Sequence, residues 1–486
     1  MTNTSRTGMR TLATVLLICT CLVGPAQVTW QRTYGGGTAQ EARAIKALDD
    51  GGAVVCGSTG STGAGDMYVL RLDVSGEIVW SAVIGGPGVE VGRDIVVLPD
   101  GRMLAVGFTN SSGQGGYDGL AVMLTADGTV AWERTYGTAE WDFLHAVAPH
   151  DEGFLLAGSS YGQGSGTADM WLLGVDMEGN VQWDRSYDGG GQDEANDVLD
   201  LGPAGCLIGG TVRTGTPLAD AVMVKYAADG SLEWATELGG ADEEAGRSVA
   251  QTTDGGYVIG GHTRSFGQHT QMFMGRTNDQ GEEQWAWNVS GDGDHWEGRA
   301  LLAFADGTFA LAGYTMEHGA GGRDISLLFL DEWGYFMSGP TYGGAGDDEA
   351  WAADMAADGA YYVAGTSASF GPGAEAVFVV RSHGDTLNGA VVPVVDPVGV
   401  PEVRRPDAIA VHPNPATPGS MVDLRGLPAG GAPFRVAMLD VQGRTVHERP
   451  LPGHGPFTLP LVPSGAYTLV LSAATGDRWA ARLMVE

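Results

Sequence analysis

One stretch returns along this chain at a nearly constant interval. Asp73-Val-Ser-Gly76-Glu-Ile-Val-Trp80, closed by Gly85-Gly86, recurs as Asp-x-x-Gly-x-x-x-Trp followed by Gly-Gly or a close variant. Trp30, Trp80, Trp132, Trp183, Trp234 and Trp285 occupy one column, Ser338 takes the seventh place, and the spacing is 50 to 53 residues. A unit of this length cannot bury its apolar faces alone and must stack on copies of itself. Four short strands fill it, the size of one propeller blade.

Within the first repeat, residues 42–48 read as strand a, Asp50-Gly51-Gly52 as a tight turn, and residues 53–58 as strand b. A Ser/Thr/Gly loop leads to Asp66, which opens strand c at residues 67–72; Asp73 to Gly76 then turns the chain into strand d, which carries Trp80. The phase of the ends matters. Trp30 lies on a strand d without a, b or c, whereas the seventh repeat supplies a, b and c (residues 350–355, 360–366 and 376–381) and then loses the pattern near Leu387. Each end lacks what the other has. The expected fold is therefore all-β: a seven-bladed β-propeller of four-stranded blades, with the ring closed by the N-terminal strand and no open sheet edge.

Composition agrees and excludes some functions. Apolar residues make up 43%, enough for a buried core, and the 79 glycines lack the triplet period of collagen. Acidic residues outnumber basic ones 59 to 26, and Lys46 and Lys225 are the only lysines. Such a chain repels phosphate backbones, so no nucleic-acid partner is expected.

Residues 1–26 read as a secretory signal, with Arg6 and Arg10 ahead of an apolar run (12–23) and a Gly24-Pro25-Ala26 end. Beyond it no apolar run reaches the ~18 residues of a membrane helix, so no transmembrane segment is expected in the mature chain. Cys56 and Cys206 then remain, in distant repeats, and read as buried apolar side chains. The domains expected are a signal peptide (1–26), the propeller (27–389), an extended proline-rich linker (390–406) and a short-strand module (407–486) of β-sandwich type.

That last module carries Val411-His-Pro413-Asn414-Pro415, then Asp440-Val-Gln-Gly443-Arg444, then Pro463-Ser-Gly465-Ala-Tyr467, and ends Ala481-Arg482-Leu-Met-Val-Glu486. In order and spacing it resembles the type IX secretion system C-terminal sorting domain of Bacteroidota, over residues 407–486. The resemblance implies a small Ig-like β-sandwich, a partnership with the type IX secretion machinery, passage across the outer membrane and removal of the tail. The repeats are similar to glycine-rich propeller repeats of secreted bacterial proteins. They share Asp-x-x-Gly-x-x-x-Trp with quinone-dependent propellers, but those usually have eight blades and an adjacent cysteine pair, so no quinone site carries over.

The tryptophan column reads as packing between blades, with carbohydrate stacking as the alternative. An acidic residue opens strand a in every repeat: Glu41, Glu90, Asp142, Glu194, Glu244, Glu297 and Glu349. Arg43, Arg93, Arg247 and Arg299 follow shortly after four of them. A ring of ion pairs fixing the inner strands is the structural reading, and a ring for a cation or basic ligand on the long-loop face the functional one. Seven near-equivalent acids single out no catalytic pair.

Asp292-Gly-Asp294 and Asp347-Asp348-Glu349 offer the oxygens calcium accepts, but not at EF-hand spacing; calcium stays open, and no other metal or cofactor is expected. Gly158-Ser-Ser160-Tyr-Gly162 has the nucleophile-elbow pattern but sits in a blade loop, not between strand and helix. Repeats three (Trp141, His145, His150) and six (Asp294, His295, Trp296) depart most from the pattern, and their separation around the ring is expected to keep the two sets from meeting. The function expected is a secreted or cell-surface, non-catalytic binding module for a glycan or protein, using the long-loop face. An extracellular propeller enzyme (hydrolase, lyase or quinone-type oxidoreductase) and a passive spacer are the alternatives.

Overall fold

The computed structural model describes residues 28–35, 39–61, 64–162, 166–213, 218–267, 269–290, 295–371, 375–384, 390–395, 410–412, 416–425, 434–439, 444–451, 457–473 and 478–485. The signal segment, Asp292, Asp294, Pro413, Asn414, Pro415, Asp440 and Gly443 lie outside them. No helix among the described residues is long and apolar enough to cross a membrane.

The repeat motif builds its own turns. Asp73 accepts hydrogen bonds from the backbone N–H groups of Ser75 and Glu77 through Oδ1, at 2.8 and 2.9 Å. Gly76 then takes φ +79°, a conformation only glycine adopts without strain. Asp176 and Asp331 do the same two and five repeats on. Strands a to d of the first repeat are Gln40–Ala47, Ala53–Ser61, Ala64–Leu72 and Ile78–Ile84, paired antiparallel in that order. Five further sheets, at 90–136, 142–187, 194–238, 244–288 and 296–342, repeat the arrangement. In the sixth, strand d breaks into Phe336–Ser338 and Thr341–Tyr342 around Pro340, which has no N–H to give the ladder.

The seventh sheet joins the two ends of the repeat region. Asp348–Met355, Tyr361–Ser367 and Ala376–Ser382 supply strands a to c, and Trp30–Gly35 pairs antiparallel with the last of them, Trp30 opposite Arg381 and Tyr34 opposite Val377. One expectation needs correction here. Val392–Val395, read as part of an extended linker, adds a parallel fifth strand outside Trp30–Gly35. Val394 packs on the same core cluster as Tyr34, while Val392 stays exposed.

Strands b and c are buried along almost their whole length, because each sheet is covered on both faces by its neighbours; strand d alternates toward solvent. Seven apolar clusters fill the gaps between successive sheets. One joins the first sheet to the second around Cys56, Val69, Ile95 and Val122, and another joins the seventh to the first around Tyr362, Val379, Ile45 and Leu70. Cys56 and Cys206 are both free and buried, and burial pushes the Cys206 thiol up to about 12.

Toward the C-terminus, two further sheets share one core containing Val422, Val436, Leu469, Leu471 and Leu483. Gly465 opens the strand Gly465–Ala473, Arg444 directly precedes Thr445–Leu451, and buried Tyr467 donates its hydroxyl to the Pro463 carbonyl at 2.8 Å.

Candidate functional site

Every strand a carries a β-bulge at the same place. The pairing with strand b slips by one residue between Ala42 and Ala44, and at the equivalent point in the other six sheets. The residue left over is Arg43, Arg93, His145, Asn196, Arg247, Arg299 or Trp351. A bulged residue has no partner across the ladder, so its side chain is free to be re-aimed. All seven line one cavity of about 190 Å3, together with Glu194. Below it a channel of about 350 Å3 is lined by strand-a residues of all seven sheets.

Four arginines, Arg43, Arg93, Arg247 and Arg299, and one acid, Glu194, are the charged residues that line the cavity. The Arg43 and Arg299 guanidinium groups lie on the ring of Trp351, each 3.6 Å from its centroid, an arrangement that holds two like charges apart by an aromatic plate. Both are also neutralised: Arg43 by Glu41 at 2.5 Å and Arg299 by Glu297 at 2.6 Å, while Glu349 pairs with Arg323. Arg93 and Arg247 have neither an ion pair nor a hydrogen bond among the described residues, and their Nε atoms are buried. Burial, with Arg43 nearby, pulls the Arg93 pKa down to about 10; burial, with Arg299, lowers Arg247. His145, held by the Ala195 carbonyl at 3.1 Å, is pushed down to about 4 by burial and Arg93, so it is neutral at pH 7.

The structure divides the expected acidic column in two. Glu41, Glu194, Glu297 and Glu349 sit two residues before the bulge, on the side of the cavity. Glu90, Asp142 and Glu244 sit three residues before it and are buried latches. Each accepts from the backbone N–H four residues earlier (Gly86, Thr138 and Gly240, at 2.5 to 2.7 Å), which folds the d–a loop back on itself. Asp193 and Asp348, absent from the expected column, are the matching latches in the fourth and seventh sheets. The signal was present in the sequence. Glu41 and Glu297 precede their arginines by two residues, whereas Glu90 and Glu244 precede theirs by three. On a strand that difference decides the face.

The tryptophan column lies far from this cavity. Trp30, Trp80 and Trp132 each donate Nε1 to a carbonyl in the next sheet's c–d turn, Val74, Ala126 and Met177, at 3.0 to 3.1 Å. Trp234 and Trp285 lie over the turn glycines Gly281 and Gly334 of their neighbours. Trp183 departs from this, lying instead against Gly174 of its own sheet.

No family model and no curated protein matches the chain. Solved structures resemble it distantly. Sqt1 of Chaetomium thermophilum shares 13% identity over 69% of this chain and 82% of its own, with a TM-score of 0.43. The WD40 domain of Neurospora crassa Pan2 shares 10% over 74% and 92%, with a TM-score of 0.44. The extracellular domain of a putative hybrid two-component system of B. thetaiotaomicron shares 9% over 94% and 57%, with a TM-score of 0.42. Likeness this slight transfers no ligand, activity or partner.

Deeper in the channel Asp94, Asp197 and Asp354 surround Lys46 and hold it protonated against its burial. Each of these acids also accepts from the next sheet's strand a, at Val147, Val249 and Ala47, with N···O distances of 2.8 to 2.9 Å. They tie neighbouring sheets together, and burial raises the Asp197 carboxyl to about 6. Beside the cavity, sheets two and three present an aromatic cluster. Trp141, 52% exposed, meets Tyr117 and Tyr161 edge-on, and Phe143 stacks on His145. The two departures from the repeat do not converge: His145 reaches the rim, His150 is bonded to Asp200, and Trp296 is buried at the latch position.

Proposed function

We propose that the seven sheets form a closed seven-bladed β-propeller, and that it is a non-catalytic binding module taking a carboxylate-bearing sugar at the channel mouth. The observation that carries this reading is the pair of half-buried arginines without an ion pair among the described residues, Arg93 and Arg247, in a cavity that the exposed aromatic cluster of Trp141 reaches through Phe143 and His145. A planar guanidinium recognises a carboxylate through two parallel hydrogen bonds, and an aromatic face accepts the apolar face of a sugar ring. The cation or basic ligand expected for this face fits less well, because two of the three cavity-lining charges without an ion pair among the described residues, Arg93 and Arg247, are positive, and the third, Glu194, acts on both of them. The formal charge of -33 disfavours long polyanions, whereas screening over about 8 Å at physiological salt leaves a single acidic sugar free to approach.

A glycan array of neutral and carboxylated oligosaccharides, probed with the mature chain, tests the reading. Carboxylated members should bind selectively. Arg93→Met and Arg247→Met should each weaken binding about tenfold or more, at ~1.5–3 kcal/mol per charged hydrogen bond. Binding indifferent to the carboxylate, or to both substitutions, would refute it.

We further propose that the chain is exported by its N-terminal signal to the outer-membrane surface or beyond. Residues 407–486 would serve as an Ig-like sorting domain read by the type IX machinery. The two sheets with a common core and the surviving motif residues Arg444, Gly465 and Tyr467 support this. Recovery of the protein from the periplasm of a type IX-competent host, tail intact, would sink it.

A further inference from the structure

In most repeats the residue five before the latch is glycine, and the structure shows why. Two acids converge there, the latch itself and the residue that opens strand c. A Cβ on Gly137 would lie 2.5 Å from Asp118 Oδ1 and 2.7 Å from Asp142 Oδ2; one on Gly343 would meet Asp324 and Asp348. Gly239 lies in the same way against Asp220 and Glu244. In the third repeat this glycine is replaced by Asp188, which brings a third carboxylate to Asp169 and Asp193.

The three carboxylates offer oxygens that all lie within 4.8 Å of one another. Asp193 is tied to the backbone N–H groups of Gly189 and Arg213, and Asp188 to that of Gly190. Asp169 is different. It is 1% exposed, and neither of its oxygens has a hydrogen-bond partner among the described residues. Its counterpart Asp118 accepts from Gln114 and Gly115, and Asp324 from Ala320. A buried carboxylate with both oxygens unsatisfied is costly unless something binds it.

We propose that Asp169, Asp188 and Asp193 form a calcium site. Oxygens 2.3–2.6 Å from one ion are necessarily within about 5 Å of each other, as these are. The donor set is all carboxylate, which selects a hard cation. Asp188 is exposed, so water can complete the irregular shell that calcium accepts and magnesium does not. Burial and the two neighbouring acids raise the Asp169 carboxyl to about 6. The ion would fasten the d–a loop of the third sheet to strand c, next to Glu194 of the cavity.

Calorimetric titration of the mature chain with CaCl2 or MgCl2, alongside melting curves in Ca2+ and in EDTA, tests the site. Wild type should bind one Ca2+ per chain in the micromolar to millimolar range, melt several degrees higher with it, and respond at least tenfold more weakly to Mg2+. Asp188→Gly restores the glycine of the other repeats. It should fold, melt no lower than wild type in EDTA because one of three repelling carboxylates is gone, and lose the Ca2+ response; Asp169→Asn should lose it too. No Ca2+ response in wild type, or a full response in Asp188→Gly, would overturn the assignment.

Discussion

Two glycines with nearly the same backbone conformation separate the cost of a turn from the cost of an interface. Gly255 has φ +90° and open space where a Cβ would go; Gly281 has φ +81°, and its Cβ would lie 2.4 Å from Cδ2 of Trp234 in the preceding sheet. Gly255→Ala should therefore cost only the left-handed backbone penalty, about 1 kcal/mol. Gly281→Ala carries that penalty and must also displace an indole, an overpacking cost of about 1–3 kcal/mol, for a total of ~2–4. Urea unfolding at neutral pH, followed by tryptophan fluorescence and circular dichroism, reads both. Trp234→Ala completes the test: with the indole gone, Gly281→Ala should fall back toward the ~1 kcal/mol of Gly255→Ala, leaving a coupling of about 1–3 kcal/mol. Equal costs for the two glycines, or no coupling to Trp234, would refute the claim that the repeated Asp-x-x-Gly and Trp are two halves of one contact between sheets.

Asp197, whose folded pKa of about 6 lies above the ordinary aspartate value, binds its proton earlier in the folded chain than in the unfolded one. The folded state thus gains stability as pH falls from about 6 toward 4, by at most about 3 kcal/mol because Asp197 borders the channel. In melting curves from pH 7 to 4.5, wild type should gain on Asp197→Asn as pH falls; a constant gap would contradict this. A chain ended at residue 390 bares the outer edge of Trp30–Gly35, and should melt lower and self-associate in light scattering, whereas an unchanged monomer would show that Val392–Val395 protects nothing.

The strand content was legible because every level of the repeat agrees. Asp-x-x-Gly forces a turn, the apolar runs need cover on both faces, and the phase of Trp30 places it beside the strand that ends at Ser382. One feature was not legible, and another was legible only from spacing. Val392–Val395 has Pro393 within it, Pro397 just after it and no repeat signature, so only the free edge of Trp30–Gly35 gives it a partner. The acidic column merges two adjacent positions of strand a, which point to opposite faces. An acid two residues before the bulge turns to the cavity, while one three before turns into the loop as a latch. Residue type alone shows neither.

The bulge also explains where variation can accumulate in so regular a chain. Most strand positions are constrained by cross-strand packing, and the turn and d–a loop positions by glycine, by Asp caps or by latches. The bulged residue answers to none of these. That one position runs Arg, Arg, His, Asn, Arg, Arg, Trp around the seven sheets, while two residues further on the same strands give Ile45, Ile95, Val147, Val198, Val249, Leu301 and Ala353. The side chains that meet at the cavity are those the scaffold leaves free to differ. The same logic picks out Asp188, where one repeat places a carboxylate at a position that is glycine in most of the others. In this architecture regularity marks packing, and a departure that the fold does not need marks chemistry.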